Sequence, residues 1–177
     1  MAKIFINQGH FPGVDPGAVG QSGLQEAVVV QDIGMRVVEY LNAVGHQAIA
    51  YQSDSLQDIC NRANAWGADL FVSLHCNAAD NRQAKGTETY CYQLGGAGER
   101  FAKYIQDQIV NSLGTVDRGV KTANFQVLRA TNCLAVLVEL AFISNFEDEA
   151  LLADPDQKDA FAAAVARGVT DYIAGVE

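Results

Sequence analysis

The stretch from Asp69 to Cys76, DLFVSLHC, is nearly continuous in apolar residues. Such a run is expected of a strand covered by other layers on both faces. The pattern around it agrees. Upstream, Leu56 to Trp66 reads as a helix, His46 to Tyr51 as a strand, and Leu24 to Val44 as a helix closed by Gly45. A Gly/Pro-rich loop, GHFPGVDPGAVGQSG, precedes that helix, and Lys3 to Asn7 (KIFIN) forms the first strand. Downstream, Thr87 to Gln93 (TETYCYQ) alternates with period two, Phe101 to Leu113 is an amphipathic helix, and Gly119 to Arg129 is loop with a short strand. Leu134 to Phe142 (LAVLVELAF) is a second buried strand, and Asp156 to Ile173 a closing Ala-rich helix. Apolar strands alternating with helices predict an α/β domain.

At 177 residues the chain can bury a substantial core, and no repeat, linker or low-complexity segment divides it, so residues 1–177 read as one domain. Hydrophobic residues at 49% and charged residues at 19% place it among globular rather than disordered chains. The formal net charge of −9, with Lys and Arg scattered, argues against nucleic acid and anionic membranes as partners. No apolar run approaches a membrane span. The opening residues, MAKIFINQGH, lack the apolar length and cleavage site of a secretory signal. The expectation is a protein held in the cytoplasm until lysis or other export, or one whose leader has been removed. Cys60, Cys76, Cys91 and Cys133 form no CxxC pair and read as reduced, buried thiols. GGAGER at Gly95 to Arg100 lacks the Lys-Ser/Thr pair of a phosphate loop and reads as a turn into a helix.

Four polar residues sit where core-building alone would not place them. His10 follows the first strand, and His75 lies near the carboxyl end of the central strand, sharing a face with Phe71 and Ser73. Glu139 interrupts VLVEL near the end of the last strand. In open α/β sheets, ligands bind beyond the carboxyl ends of the strands, so these three point to one crevice. Ser22 and Gln25 match a capping box, which leaves Glu26 unneeded as a helix cap. Its spacing to Val29, Val30, Ile33 and Val37 puts Glu26 on the core-facing stripe, where a carboxylate is costly without a cation or strong donors. Taken singly, a His near a strand end is more often structural than a ligand, and a Glu in a first helical turn often only complements the helix dipole. Together, two imidazoles and one carboxylate form a set that holds catalytic zinc with a position open for water, and the other carboxylate is placed as general base. His46 follows Gly45 in an edge-like strand and reads as a surface residue. Asn77 is placed to hydrogen-bond the loop or a substrate, and Glu88 in GTETY either lines the cleft or faces solvent.

The blocks GHFPGVDPGAVG…GLQE, ADLFVSLHCNA, GTETYCY and VLVELAFISN, in this order, resemble those of the zinc-dependent N-acetylmuramoyl-L-alanine amidases (amidase type 3). The resemblance covers nearly the whole chain. It implies a twisted, mixed, mainly parallel sheet flanked by helices on both faces. It also implies one zinc per chain and cleavage between the lactyl group of N-acetylmuramic acid and L-alanine. By position the family's zinc ligands fall on His10, Glu26 and His75, and its catalytic glutamate on Glu139. A monomer acting on peptidoglycan in the cell wall, of autolysin or endolysin type, is the matching expectation. The sequence departs from many relatives in Asn7-Gln8, in HFPG, in Leu134 and in Ala27, none of which removes one of the four residues. The alternatives are a zinc peptidase acting on stem peptides, of which the absence of HExxH excludes one class only, and a non-catalytic wall-binding relative.

Overall fold

The computed structural model describes residues 1–175 of the chain; the last two residues of the expected 1–177 domain lie outside the described residues. The elements are β1 (Lys3–Gln8), α1 (Glu26–Ala43), β2 (Gln47–Gln52), α2 (Leu56–Trp66), β3 (Leu70–Asn77), β4 (Thr87–Cys91), α3 (Ala97–Leu113), β5 (Asp117–Thr122), α4 (Gln126–Arg129), β6 (Leu134–Phe142), α5 (Phe146–Ala153) and α6 (Pro155–Gly175). The six strands form one sheet in the order β2-β1-β3-β6-β4-β5. Neighbours run parallel except β4 against β6, so the sheet is mixed and mainly parallel. This is the architecture the family resemblance implies, on the α/β pattern read from the residues.

Side-chain alternation assigns the two faces. Ile4, Ile6, Val72, Leu74, Val136 and Val138 pack with α1, α3 and α6. Phe5, Phe71, Ala135 and Leu137 pack on the other face with Ile59, Cys60 and Ala63 of α2 and with Val127 and Leu128 of α4. Phe5 and Phe71 stack with ring centroids 5.5 Å apart. Burial of each such ring stabilises the fold by about 2–3 kcal/mol. Further toward the carboxyl end, the second face continues with Asn7, Ser73, His75 and Glu139. There its chemistry changes from apolar to polar: Ser73 Oγ donates to Asn7 Oδ1 at 2.7 Å. Along this face the sheet thus passes from apolar to polar side chains.

α1 differs from expectation at its start. Gln25 is the N-cap but its side chain makes no capping hydrogen bond, so the capping box is not formed. Loop carbonyls do the capping instead: Glu26 N–H donates to Ala18 O at 2.9 Å and Ala27 N–H to Pro16 O at 3.1 Å. Ser22 is drawn elsewhere, its Oγ donating to Glu149 at 2.6 Å. The Gly/Pro-rich loop is thereby folded down on the first turn of α1. α2 starts as expected, with Ser55 accepting from Asp58 N–H, and ends on left-handed Gly67. α5 has no counterpart among the elements expected from sequence. Asp148 and Glu149 are among its buried residues. Asp148 accepts from Gly86 N–H and Phe142 N–H at 2.8 Å each, while Glu149 takes the N–H groups of Gln21 and Ser22. These two carboxylates fasten the loops at the end of the sheet. The cysteines are all free, three buried and Cys133 half-buried.

Candidate metal centre

His10 sits just past β1 with φ of 60°, the one non-glycine residue with positive φ among the described residues. That conformation costs roughly 1–2 kcal/mol and has to be imposed by its surroundings. The turn from Phe11 to Asp15 imposes it, through paired backbone bonds of 2.9 and 2.8 Å between the two residues. Asp15 then lies 2.7 Å from His10 Nδ1 and accepts Gly17 N–H at 2.9 Å. With Nδ1 engaged, His10 turns Nε2 inward, 3.2 Å from Glu26 Oε2. His75, on β3, brings Nδ1 to 2.9 Å from Glu26 Oε1. Glu26 also accepts Cys76 N–H at 2.9 Å and Ala18 N–H at 2.8 Å. One ligand atom each from His10, Glu26 and His75 lies within 4.8 Å of the others.

Two glycines make room for this cluster. A Cβ at Gly9 would lie 2.3 Å from His75 Cε1, and one at Gly17, whose φ is +65°, would lie 2.6 Å from both Glu26 Oε2 and His10 Cδ2. The electrostatics ask for one positive charge. The Glu26 bond, outweighing burial and aided by Asp15, raises His10 to about 9. Burial pushes Glu26 upward, yet the His10 and His75 bonds hold it well below the usual carboxylate range. Without a metal, a proton on His10 supplies the charge that a cation would supply. A buried carboxylate between two imidazoles, one of them oriented by a further carboxylate, fits a divalent ion with nitrogen and oxygen ligands.

Glu139 stands directly opposite His75 across the β3–β6 ladder, and Glu88 directly opposite Glu139 across β6–β4. Glu139 Oε2 is shut off from solvent and has no hydrogen-bond partner among the described residues. Burial pushes its carboxyl up to about 7, with help from the charges of Glu26 and Glu88. Glu88 is the opposite case. Its Oε1 accepts from Asn77 Nδ2 at 2.7 Å and Tyr90 Oη at 2.8 Å, and its Oε2 from Arg118 Nε at 2.8 Å and from Lys121. Burial raises Glu88, but the Lys121 and Arg118 bonds outweigh it and bring the group down to about 2. Two neighbouring carboxylates are thus driven apart, one toward proton exchange near neutrality and one toward permanent charge.

The sequence model of the N-acetylmuramoyl-L-alanine amidases matches residues 4–171. The chain belongs to this family. This amidase-family chain is 42% identical over 176 residues to the N-acetylmuramoyl-L-alanine amidase LytC of Bacillus subtilis, covering 96% of its own length and 35% of that relative. It therefore spans about a third of that protein. Two solved amidase structures match it over nearly their full length. The N-acetylmuramoyl-L-alanine amidase AmiC2 of Nostoc punctiforme superposes with a TM-score of 0.93 at 32% identity, covering 98% of this chain and 97% of that one. The catalytic domain of the amidase CwlV from Bacillus (Paenibacillus) polymyxa var. colistinus gives 0.91 at 31%, covering 98% and 99%.

Within this amidase fold, the four residues singled out from sequence gather at one end of the sheet. Sequence alone leaves Glu88 open between cleft and solvent, and the structure buries it at 3% exposure. Asn77 bonds the loop through Ala78 N–H as well as Glu88. His46 is half-buried rather than plainly on the surface, its Nδ1 accepting Ala2 N–H at 3.3 Å. Sequence reasoning misses Asp15, Arg118 and Lys121. Asp15 has a signal in the turn-forming Asp-Pro-Gly five residues after His10, whereas Arg118 and Lys121 lie in a polar strand with no apolar pattern to set their facing.

Proposed function

We propose that residues 1–177 form the catalytic domain of a zinc-dependent amidase that cuts peptidoglycan between the lactyl group of N-acetylmuramic acid and L-alanine. The observation that carries this reading is Glu139, a carboxylate with a solvent-shielded, unpartnered oxygen placed directly beside a His-Glu-His cluster. His10, Glu26 and His75 would hold one zinc per chain. Zinc bound there supplies Lewis acidity, which makes water a nucleophile near neutral pH and polarises an amide carbonyl. Asp15 keeps His10 in the tautomer that turns Nε2 inward. Glu139 takes a proton from the attacking water and passes it to the departing nitrogen, which would otherwise leave as an unstable anion. This proton path serves amide hydrolysis. Glycoside hydrolysis needs two carboxyl groups flanking a sugar; Glu26 is taken up by the two imidazoles, and both oxygens of Glu88 are held by Asn77, Tyr90, Arg118 and Lys121.

The chain is read as a monomer acting on the cell wall, without nucleic acid or membrane partners; among the described residues no helix is long and apolar enough to cross a membrane. Removing metal from the purified protein with a chelator is expected to abolish hydrolysis of muramoyl-peptides, and one equivalent of zinc to restore it. Full activity in protein shown by elemental analysis to be metal-free would refute the zinc assignment.

A further inference from the structure

The row of side chains that begins at His75 does not stop at Glu139. It continues across the sheet through Glu88 on β4 to Arg118 and Lys121 on the edge strand β5, whose register against β4 is interrupted between Thr87 and Thr89. There two cations share one carboxylate oxygen, Glu88 Oε2. Glu88 is buried, with both of its oxygens fully engaged, while the Arg118 and Lys121 side chains are 33% and 38% exposed. Arg118 donates only through Nε among the described residues, and its guanidinium lies over the Phe142 ring at 4.7 Å. Its terminal nitrogens are thus held in place but meet no acceptor. In a chain of net charge −9, this is a fixed excess of positive charge two strands away from the general base.

The direction of the reaction gives the site its ligand. Glu139 hands a proton to the leaving nitrogen, so the peptide half of the substrate departs on the Glu139 side of the metal cluster, toward Glu88. We propose that Arg118 and Lys121, pinned by Glu88, form an anion subsite that receives a carboxylate of the peptide, within about two residues of the cut amide at strand spacings of roughly 4.8 Å. The subsite rests on the amidase reading above and sets its specificity: acidic stem peptides are preferred to amidated ones. A guanidinium with free terminal N–H groups suits a planar carboxylate, and Lys121 adds charge without fixed geometry.

The test compares N-acetylmuramoyl-Ala-Glu with its fully amidated counterpart, N-acetylmuramoyl-Ala-Gln amide, on the zinc-loaded protein. Wild type is expected to favour the acidic substrate by about 10- to 100-fold in kcat/KM, chiefly through KM, as for loss of a charge-assisted hydrogen bond. Arg118→Gln and the more exposed Lys121→Gln should shrink that preference to about threefold or less, and Arg118→Lys should keep part of it. Equal losses on both substrates would overturn the subsite and leave the two cations as mere supports of Glu88. Calorimetric titration of the dipeptide Ala-Glu into the same proteins separates the two readings. If wild type cleaves neither substrate yet binds Ala-Glu, and Arg118→Gln abolishes that binding, the amidase reading fails and the anion subsite stands. Cleavage without any preference for the acidic substrate and without binding of Ala-Glu overturns the subsite and leaves the amidase reading standing.

Discussion

Replacing Glu139 with glutamine is expected to lower hydrolysis by roughly 100- to 10,000-fold while zinc content stays near one per chain, because it removes proton transfer and no ligand. The same substitution has an expected effect on stability in the metal-free protein. A carboxyl raised from 4.5 to about 7 by burial binds its proton more tightly in the folded chain than in the unfolded one. Its cost to folding is absent below pH 4.5, grows between 4.5 and 7, and is fully present above, at about 3 kcal/mol. Metal-free Glu139→Gln should therefore resist urea better than metal-free wild type near pH 8, and the advantage should vanish near pH 4. Equal stability at both pH values would contradict the shielded, unpartnered state of Glu139 Oε2. If Glu139→Ala lost the metal while Glu26→Ala kept it, the roles of the two glutamates would be exchanged.

The second large effect concerns the cluster itself. His75→Ala should lose both zinc and activity, since it removes a ligand. Gly9→Ala should weaken zinc binding by about 10- to 100-fold although Gly9 offers no side chain to the metal, because disturbing a group that orients a ligand has effects of that size. A methyl there would sit 2.3 Å from the His75 ring, and the backbone at Gly9, unlike Gly17, is not in the left-handed region. The substitution thus displaces the ring without straining the main chain. Zinc titration against a competing chelator measures the loss. Wild-type affinity in Gly9→Ala would show that the ring is free to move and that the cluster is not preorganised.

How much of this is legible in the sequence follows from which forces set each element. β3 and β6 are apolar on both faces, so their position at the centre of the sheet can be read directly, and a histidine or glutamate inside such runs stands out. Glu26 is legible for the same reason, as a charge at the head of the stripe Val29, Val30, Ile33 and Val37, all of them fully buried. α5 is not legible because carboxylates, rather than an apolar stripe, turn inward from it, and their partners are backbone N–H groups far away in sequence. The start of α1 misleads because Ser22 fits a local capping pattern but is claimed by Glu149, a contact across 127 positions. β5 shows the same limit. Its sequence DRGVKT has no periodicity that tells which way Arg118 points, and only the buried Glu88 on the neighbouring strand decides it.

The most direct test is the identity of the bond that is cut. Purified peptidoglycan digested with the zinc-loaded protein should release peptides that begin with L-alanine and leave the glycan strands intact. Amino-terminal labelling should show new alanine amines, with no matching rise in reducing sugar. New reducing ends would mean that Glu139 works with a second carboxyl on a glycosidic bond. New amines on D-alanine or on the cross-linking diamino acid would mean that the same cluster serves a peptidase, and either result would contradict hydrolysis of the muramoyl amide.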